Sequence, residues 1–420
     1  MPKMFTTIGE VYSWLFNQRK TKKRENLNRI KKAAIDLGLD KPNYKIIHIA
    51  GTNGKGSTAV MIQKMLALTG KHIGLFVSPY VISFNERIQI NDRYISDAEI
   101  MHYSNILYKY SNEYEAKYND IIPFFELTLL MALMYYKDRN IDILVMEAGL
   151  GGLLDATNFL DKDLAIITNI GYDHMAQLGN TLEEISNHKL GIARENGILL
   201  TAVDEMLIPH FKSYLDNINS KLIYVNPFIK DISVNNMTSF TYKNEAYNVS
   251  LLGDYQAFNA SLAIEAVKLI DKSYPKDLID YALANIFWPG RMEVVSNNPK
   301  IIIDGGHNIH AIKASVNALN KMKGNNTIKV LFTSLYDKDY KSMIEELDKI
   351  SSFYYFCGLD DVRSTDPTLF MKICSKPYIV KDSFNECLDL AIPELKKDEI
   401  LFITGSLHFI SQVREKFFKK

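Results

Sequence analysis

Short apolar runs recur along the chain, separated by longer stretches with helical spacing. Residues 44–50 (YKIIHIA), 73–77, 143–147, 164–168 and 198–202 are nearly continuous in apolar character, the pattern of strands covered on both faces. Residues 57–68 predict the helix that follows the first of them. Ser96 and Thr181 are each followed three residues later by a glutamate, Glu99 and Glu184, and such capping boxes mark helix starts. Strand and helix therefore alternate, which predicts an α/β fold with a mostly parallel sheet and helices on both faces.

Residues 220–252 break the rhythm. Residues 221–225 are strand-like, and 238–252 alternate like a hairpin around Lys243-Asn244-Glu245, predicting a small antiparallel annex. A helix over 257–270 follows. After Trp288-Pro289-Gly290-Arg291 the alternation restarts, with strands predicted at 300–304, 328–333, 353–357, 378–380 and 400–404. The expected organisation is one domain over 1–295, a linker near 291–299, and a smaller α/β domain over 296–420.

Composition narrows the function classes. Lysine plus arginine equals aspartate plus glutamate at 49 each in 420 residues, so no global field favours nucleic acid or an anionic membrane. The start lacks a basic segment leading into a long apolar run, and no stretch is apolar enough to span a bilayer, so a cytoplasmic chain is expected. Cys357, Cys374 and Cys387 are odd in number and widely spaced, which suits small core residues in a reducing compartment. The basic run at residues 19–24 suits a solvated face; a contact with a polyanionic substrate is the alternative.

Gly51-Thr-Asn-Gly54-Lys55-Gly56-Ser57-Thr58 follows a buried strand and opens a helix, where a phosphate cradle belongs. The glycines admit backbone N–H groups to phosphate oxygens, Lys55 neutralises β- and γ-phosphate charge, and Ser57 or Thr58 supplies a hydroxyl. The spacing departs from the usual G-x-x-x-x-G-K-[ST] loop, because Gly56 separates Lys55 from Ser57. Glu147 ends an apolar strand, the edge at which α/β proteins bind ligands. His174 follows another strand, as a loop histidine or a metal ligand. Phe124 and Phe125 suit either an aromatic slot or the core at a helix start.

Further segments accompany the loop in order: Ser78-Pro79, Phe84-Asn-Glu-Arg-Ile88, Phe125-Glu126, Glu147-Ala-Gly-Leu-Gly-Gly152 with Leu154-Asp-Ala-Thr-Asn158, Ile167-Thr-Asn-Ile170 with Asp173-His174, and Lys189-Leu-Gly-Ile192. Gly253 with Gln256 and Asn259, Trp288-Pro-Gly-Arg291, Asp304 with His307-Asn308, Asp337-Lys-Asp339 and Gly405-Ser406 complete the series. From about residue 24 to the end, the set resembles the folylpolyglutamate synthase/dihydrofolate synthase branch of the Mur ligase superfamily.

The resemblance implies a P-loop-type N-terminal sheet domain, a smaller Rossmann-like C-terminal domain that carries glutamate, and ATP-dependent joining of a carboxylate to an amine. It implies that Gly54, Lys55, Gly56 and Ser57 cradle ATP, and that Asn259, Arg291, Asp304 and His307 contact it, with Mg-ATP between the domains. Ser78 and Glu147 would hold a first Mg2+ and His174 a second; Asp173 would orient the histidine. Lys189 would be N6-carboxylated, which turns a cation into an anionic oxygen ligand; Lys55, Lys189 and His174 would form the catalytic group. Phe124, Phe125 and Glu126, with Leu154, Asp155 and Ala156, would meet a folate or pteroate, and Lys338 and Ser406 are candidate glutamate contacts. Expected partners are small molecules (folate or pteroate, L-glutamate, ATP), with no nucleic acid and no membrane, and the chain is expected to be a monomer.

The chain departs from the family pattern at Tyr80, Pro123, Leu153, His188, Tyr255 and Gly306. These departures bear on the acceptor and on dual activity more than on the ligase chemistry. Two rivals follow: a Mur-type ligase acting on a UDP-sugar peptide, and a nucleotide-binding homologue without catalysis.

Overall fold

A computed structural model describes residues 4–18 and 26–418; the basic run at 19–24 lies outside the described residues. The fold is α/β, as the apolar pattern predicts, and it separates into two compact units.

The first unit comprises residues 1–170, 174–226 and 262–282. Its sheet contains β1 (Lys45–Ala50), β2 (Ile73–Phe76), β3 (Ile88–Ile90), β4 (Arg93–Tyr94), β5 (Ile143–Glu147), β6 (Leu164–Ile167), β7 (Ile198–Thr201) and β8 (Lys221–Tyr224). The spatial order is β4-β3-β2-β5-β1-β6-β7-β8, parallel except for the β3–β4 ribbon. The segment 221–225 is thus the parallel edge strand β8 and not part of the antiparallel annex. β1 is buried from Ile46 to Ala50 with no alternation, as a strand covered on both faces must be. From β1 the chain crosses to β2 and β5 on one side and to β6 on the other, so its C-terminal end is a topological switch point. The register places Ile49 beside Glu147 and Ala50 beside Ile167, so β1, β5 and β6 end together.

Helix starts follow local chemistry. Ser96 and Thr181 cap Asp97–Tyr118 and Leu182–Leu190 with reciprocal bonds to Glu99 and Glu184. The same box, Thr7 with Glu10, opens Ile8–Asn17.

The second unit comprises residues 171–173, 227–261 and 283–420. Its antiparallel sheet is β9 (Ile229–Val234), β10 (Thr238–Tyr242) and β11 (Glu245–Val249). Lys243 and Asn244 both take positive φ, 49° and 66°, in the hairpin turn that the alternation predicts. Its larger sheet contains β12 (Glu293–Asn297), β13 (Lys300–Asp304), β14 (Thr327–Phe332), β15 (Ser351–Cys357), β16 (Tyr378–Lys381) and β17 (Glu399–Thr404), in the order β12-β13-β17-β14-β15-β16. The stretch expected as a linker, 291–299, forms β12, an antiparallel edge strand on β13. Its Val294-Val295 pair suits a pleated surface, and Asn298-Pro299 makes the turn. Successive residues of β13 and β14 face opposite cores: Ile302 and Phe332 enter one, Ile301, Ile303 and Leu331 the other. Cys357 and Cys387 lie in the second of these cores as free thiols.

Candidate active site

In the first unit, the loop after β1 is tethered by residues that follow β6. Gly54 takes φ 82° immediately ahead of the helix Lys55–Ala67. Gly51 takes φ +154°, and a Cβ there would lie 1.9 Å from Thr168 Oγ1. That hydroxyl donates to Asn53 O at 2.6 Å. Asn169 completes the tether: its side-chain oxygen accepts from Asn53 N–H at 2.8 Å, and its carbonyl from Thr52 N–H at 3.0 Å. The N–H groups that open the helix have no intrahelical acceptor and carry the positive end of its dipole. Gly54, Lys55, Gly56 and Ser57 therefore present an anion cradle.

Lys55 Nζ donates to Gly51 O at 3.1 Å and Thr52 O at 3.3 Å, and stands 3.7 Å from Glu147 Oε1. Glu147 is 4% exposed at the end of β5, and its Oε2 accepts from Ser78 N–H at 3.2 Å. Lys55, Ser78 and Glu147 thus converge at the ends of three neighbouring strands.

Among the described residues, no three His, Cys, Asp or Glu side chains gather so as to hold a metal ion alone. The donors here are hard oxygens, the Glu147 carboxylate and the Ser78 hydroxyl. That set fits Mg2+, which commonly takes one or two carboxylates and completes its shell with phosphate oxygens and water. His174, exposed and at φ 51°, caps the short helix Met175–Leu178. Lys189 is buried in the last turn of Leu182–Leu190. That turn lies against the glycine-rich loop after β5, where a Cβ on Gly152 would meet His188 O at 2.8 Å and Lys189 O at 3.0 Å.

The residues expected to meet the acceptor divide into two groups. Phe124, Phe125 and Leu154 are partly exposed. Phe125 packs on Gly149, where a Cβ would lie 2.8 Å from its ring. Glu126 and Asp155 instead have their carboxylates occupied by the protein. Arg29 donates to both oxygens of Glu126, at 2.9 and 3.0 Å, tying the helix Asn28–Asp36 to the start of Phe124–Asp138. Asp155 accepts from Leu150 N–H at 2.8 Å, Thr157 N–H at 3.0 Å and the Thr157 hydroxyl at 2.5 Å. Ala156 is fully buried.

Behind that loop runs a polar chain. His48 Nε2 meets Thr157 Oγ1 at 2.7 Å, His48 Nδ1 meets Lys162 Nζ at 3.2 Å, and Lys162 donates to Asn158 Oδ1 at 2.5 Å. Burial, then the Arg194 charge, pushes the Lys162 amine down to about 6. Burial, with Lys162 and Arg194, also drives His48 well below the usual histidine range. The network assigns the Nε2–H tautomer to His48.

The second unit holds the remaining candidates. Asn259 Nδ2 donates to Gln256 Oε1 at 2.9 Å, and both are buried. Asp304, 3% exposed, accepts from Met292 N–H at 2.9 Å, and from Gly306 N–H and the Ser315 hydroxyl at 3.0 Å each. Burial raises its pKa against the pull of Arg291. Three donors inside a buried turn make Asp304 a staple for the loop that carries His307. His307 Nδ1 donates to Gly305 O at 3.0 Å, and burial, then the Lys338 charge, lowers its pKa. Lys338 donates to Asp173 Oδ1 at 3.0 Å and Asn308 to Asp173 Oδ2 at 2.9 Å. Asp173 is therefore held by Lys338 and Asn308. Ser406 is buried.

An anion cradle beside a carboxylate, in a chain with a second α/β unit, suits an ATP-dependent ligase, and the family matches make that class the Mur ligases. Residues 49–267 match the Mur ligase middle domain and residues 290–407 the Mur ligase glutamate ligase domain. The chain is 33% identical to the dihydrofolate synthase/folylpolyglutamate synthase of Bacillus subtilis, across 98% of this chain and 100% of that one. It is 30% identical to the folylpolyglutamate synthase of Lacticaseibacillus casei, across 90% and 91%. The crystal structure of the bifunctional Yersinia pestis enzyme complexed with AMPPNP and Mn ion is 26% identical and superimposes with a TM-score of 0.88 over 99% of each chain. The chain belongs to the dihydrofolate synthase/folylpolyglutamate synthase family, and it is an ATP-dependent ligase.

Proposed function

We propose that this chain adds L-glutamate to the carboxylate of a folate acceptor: tetrahydrofolate polyglutamates, dihydropteroate, or both. The observation that carries the reading is the convergence of Lys55, Ser78 and Glu147 beside the anion cradle. The γ-phosphate and the acceptor carboxylate repel, so cationic groups must gather where they meet. The helix N-terminus and Lys55 hold the β- and γ-phosphates. The acceptor carboxylate attacks the γ-phosphorus, forming a C–O–P bond and releasing ADP. The glutamate amine then attacks the acyl carbon; phosphate leaves, the amine loses a proton, and an amide remains. Mg2+, held by Ser78 and Glu147, would supply charge neutralisation and orient the phosphates.

Roles for His174 as a second metal ligand, for carboxylated Lys189, and for Asn259, Arg291 and His307 toward ATP belong to the same proposal. Burial disfavours a bare ammonium at Lys189, and a carboxylated, anionic side chain would be stable there only beside a cation such as the proposed Mg2+. 13C NMR of the folded protein in 13C-bicarbonate at neutral to mildly alkaline pH should show one carbamate resonance that Lys189→Ala lacks; its absence from wild type removes that role.

The function is tested by mass spectrometry of products formed from ATP, glutamate and either dihydropteroate or tetrahydrofolate offered separately. One added glutamate on either acceptor is expected. No adduct from any folate, with ATP still bound, would leave a nucleotide-binding protein without this activity.

A further inference from the structure

Arg87 ends the single helical turn Phe84–Arg87, where β3 begins. Its carbonyl accepts from Val77 N–H at 3.1 Å, which fixes it beside the residue preceding Ser78. The residue is 8% exposed, and its side chain lies among aromatic faces. The guanidinium carbon is 5.1 Å from the Tyr80 ring centre, 5.4 Å from Phe124 and 5.9 Å from Phe84.

What it lacks is an anion. Among the described residues the guanidinium makes no ion pair, and its buried Nε has no hydrogen-bond partner. The adjacent Glu86 does not serve, because its oxygens accept from Val81, Ile82 and Ser83 N–H groups at 2.9, 2.6 and 2.7 Å. Glu147 is bonded to Ser78 N–H and faces Lys55. Burial pushes the Arg87 guanidinium down to about 10, against the pull of Tyr80, Glu147 and Glu86. Ring faces attract a cation but leave its N–H groups unmatched, and a buried guanidinium without a carboxylate is costly. A planar aromatic ligand that carries a carboxylate supplies what this position lacks: ring surface for Tyr80, Phe84 and Phe124, and paired oxygens for the guanidinium fork.

We propose that Arg87 recognises the reacting carboxylate of the acceptor and sets specificity for an arylcarboxylate or glutamyl carboxylate, while Tyr80 and Phe124 flank the attached ring. The inference rests on the folate-acceptor reading above. It adds a residue that no sequence motif assigned to a role, and it places the carboxylate beside the Ser78–Glu147 group.

The test uses the full chain as wild type, Arg87→Met and Arg87→Lys, with AMPPNP present. Dihydropteroate and its carboxamide analogue are titrated against each. A charge-assisted bond to the carboxylate should make wild type prefer dihydropteroate by at least about tenfold. Arg87→Met should lose that preference, with the carboxamide and AMPPNP affinities nearly unchanged, and Arg87→Lys should keep part of it. Equal weakening of both analogues would reduce Arg87 to a packing residue. A fall in AMPPNP affinity alone would make phosphate its partner, and no carboxylate preference in wild type would also overturn the proposal. If Arg87→Met does not fold, Arg87→Lys decides: full preference or equal weakening of both analogues each contradicts a geometry-dependent fork. Failure of the folate-acceptor reading looks different, as wild type would form no glutamate adduct.

Discussion

Gly51→Ala tests how the phosphate loop is held. The new methyl would sit 1.9 Å from Thr168 Oγ1 at a backbone φ of +154°, so either the loop or Thr168 must move. Backbone strain in such a region costs about 1–3 kcal/mol. Swinging the hydroxyl away removes its bond to Asn53 O, worth about 1 kcal/mol. The sum is about 2–4 kcal/mol of local penalty. If the free loop relaxes and must be restored to bind phosphate, ATP affinity falls by about 30- to 700-fold. Isothermal titration with AMPPNP measures this directly, with urea denaturation reporting fold stability alongside. Thr168→Ala removes the atom that the methyl strikes, so the double variant Gly51→Ala/Thr168→Ala should lose less affinity than the two single losses combined. Unchanged affinity in Gly51→Ala, or strict additivity in the double variant, would refute the tether.

Two other predictions follow from charge. Arg29→Met leaves the Glu126 carboxylate, 1% exposed, without its bidentate partner and should lower the unfolding free energy by about 2 kcal/mol after discounting for the partly exposed arginine. Asp120→Asn, at a carboxylate 46% exposed, should change it by less than about 0.5 kcal/mol; equal effects in urea melts would contradict the assignment. Lys162 is pushed down to about 6 in the fold, against about 10.4 in the unfolded chain. Within that window the unfolded chain binds the extra proton, so the lysine's contribution to stability rises with pH. The difference between wild type and Lys162→Met should climb by up to about 1.4 kcal/mol per pH unit between about pH 7 and pH 9, and a pH-independent difference would sink the argument.

What the sequence disclosed was mostly local. The strand, glycine loop and helix around Lys55 lie within one short stretch, and Glu147 ends an unbroken apolar strand, so both were legible without the fold. The capping boxes at Ser96 and Thr181 are contacts between residues three apart and were equally plain. The partners that fix the site are distant along the chain. Thr168 and Asn169 hold a loop more than 110 residues earlier, and Arg29 reaches Glu126 across 97 positions. Such pairs depend on strand order, which no local pattern encodes. For the same reason the bonds from Glu126 to Arg29, and from Asp155 to backbone and hydroxyl groups, had no local signature. β12 went unseen because its turn residues, Asn298 and Pro299, resemble a linker. Arg87 carried no signal beyond its place in a motif; its unmatched charge appears only once Glu86 is seen to cap its own turn.

The central claim is that Lys55, with the Mg2+ that Glu147 would hold, lets two anions meet at one point. The direct measurement is glutamate-dependent ADP release by Lys55→Ala and Glu147→Gln, each first shown to keep the wild-type melting profile. The account predicts that both variants fall to background with every folate acceptor that wild type uses. Full turnover by both would contradict it.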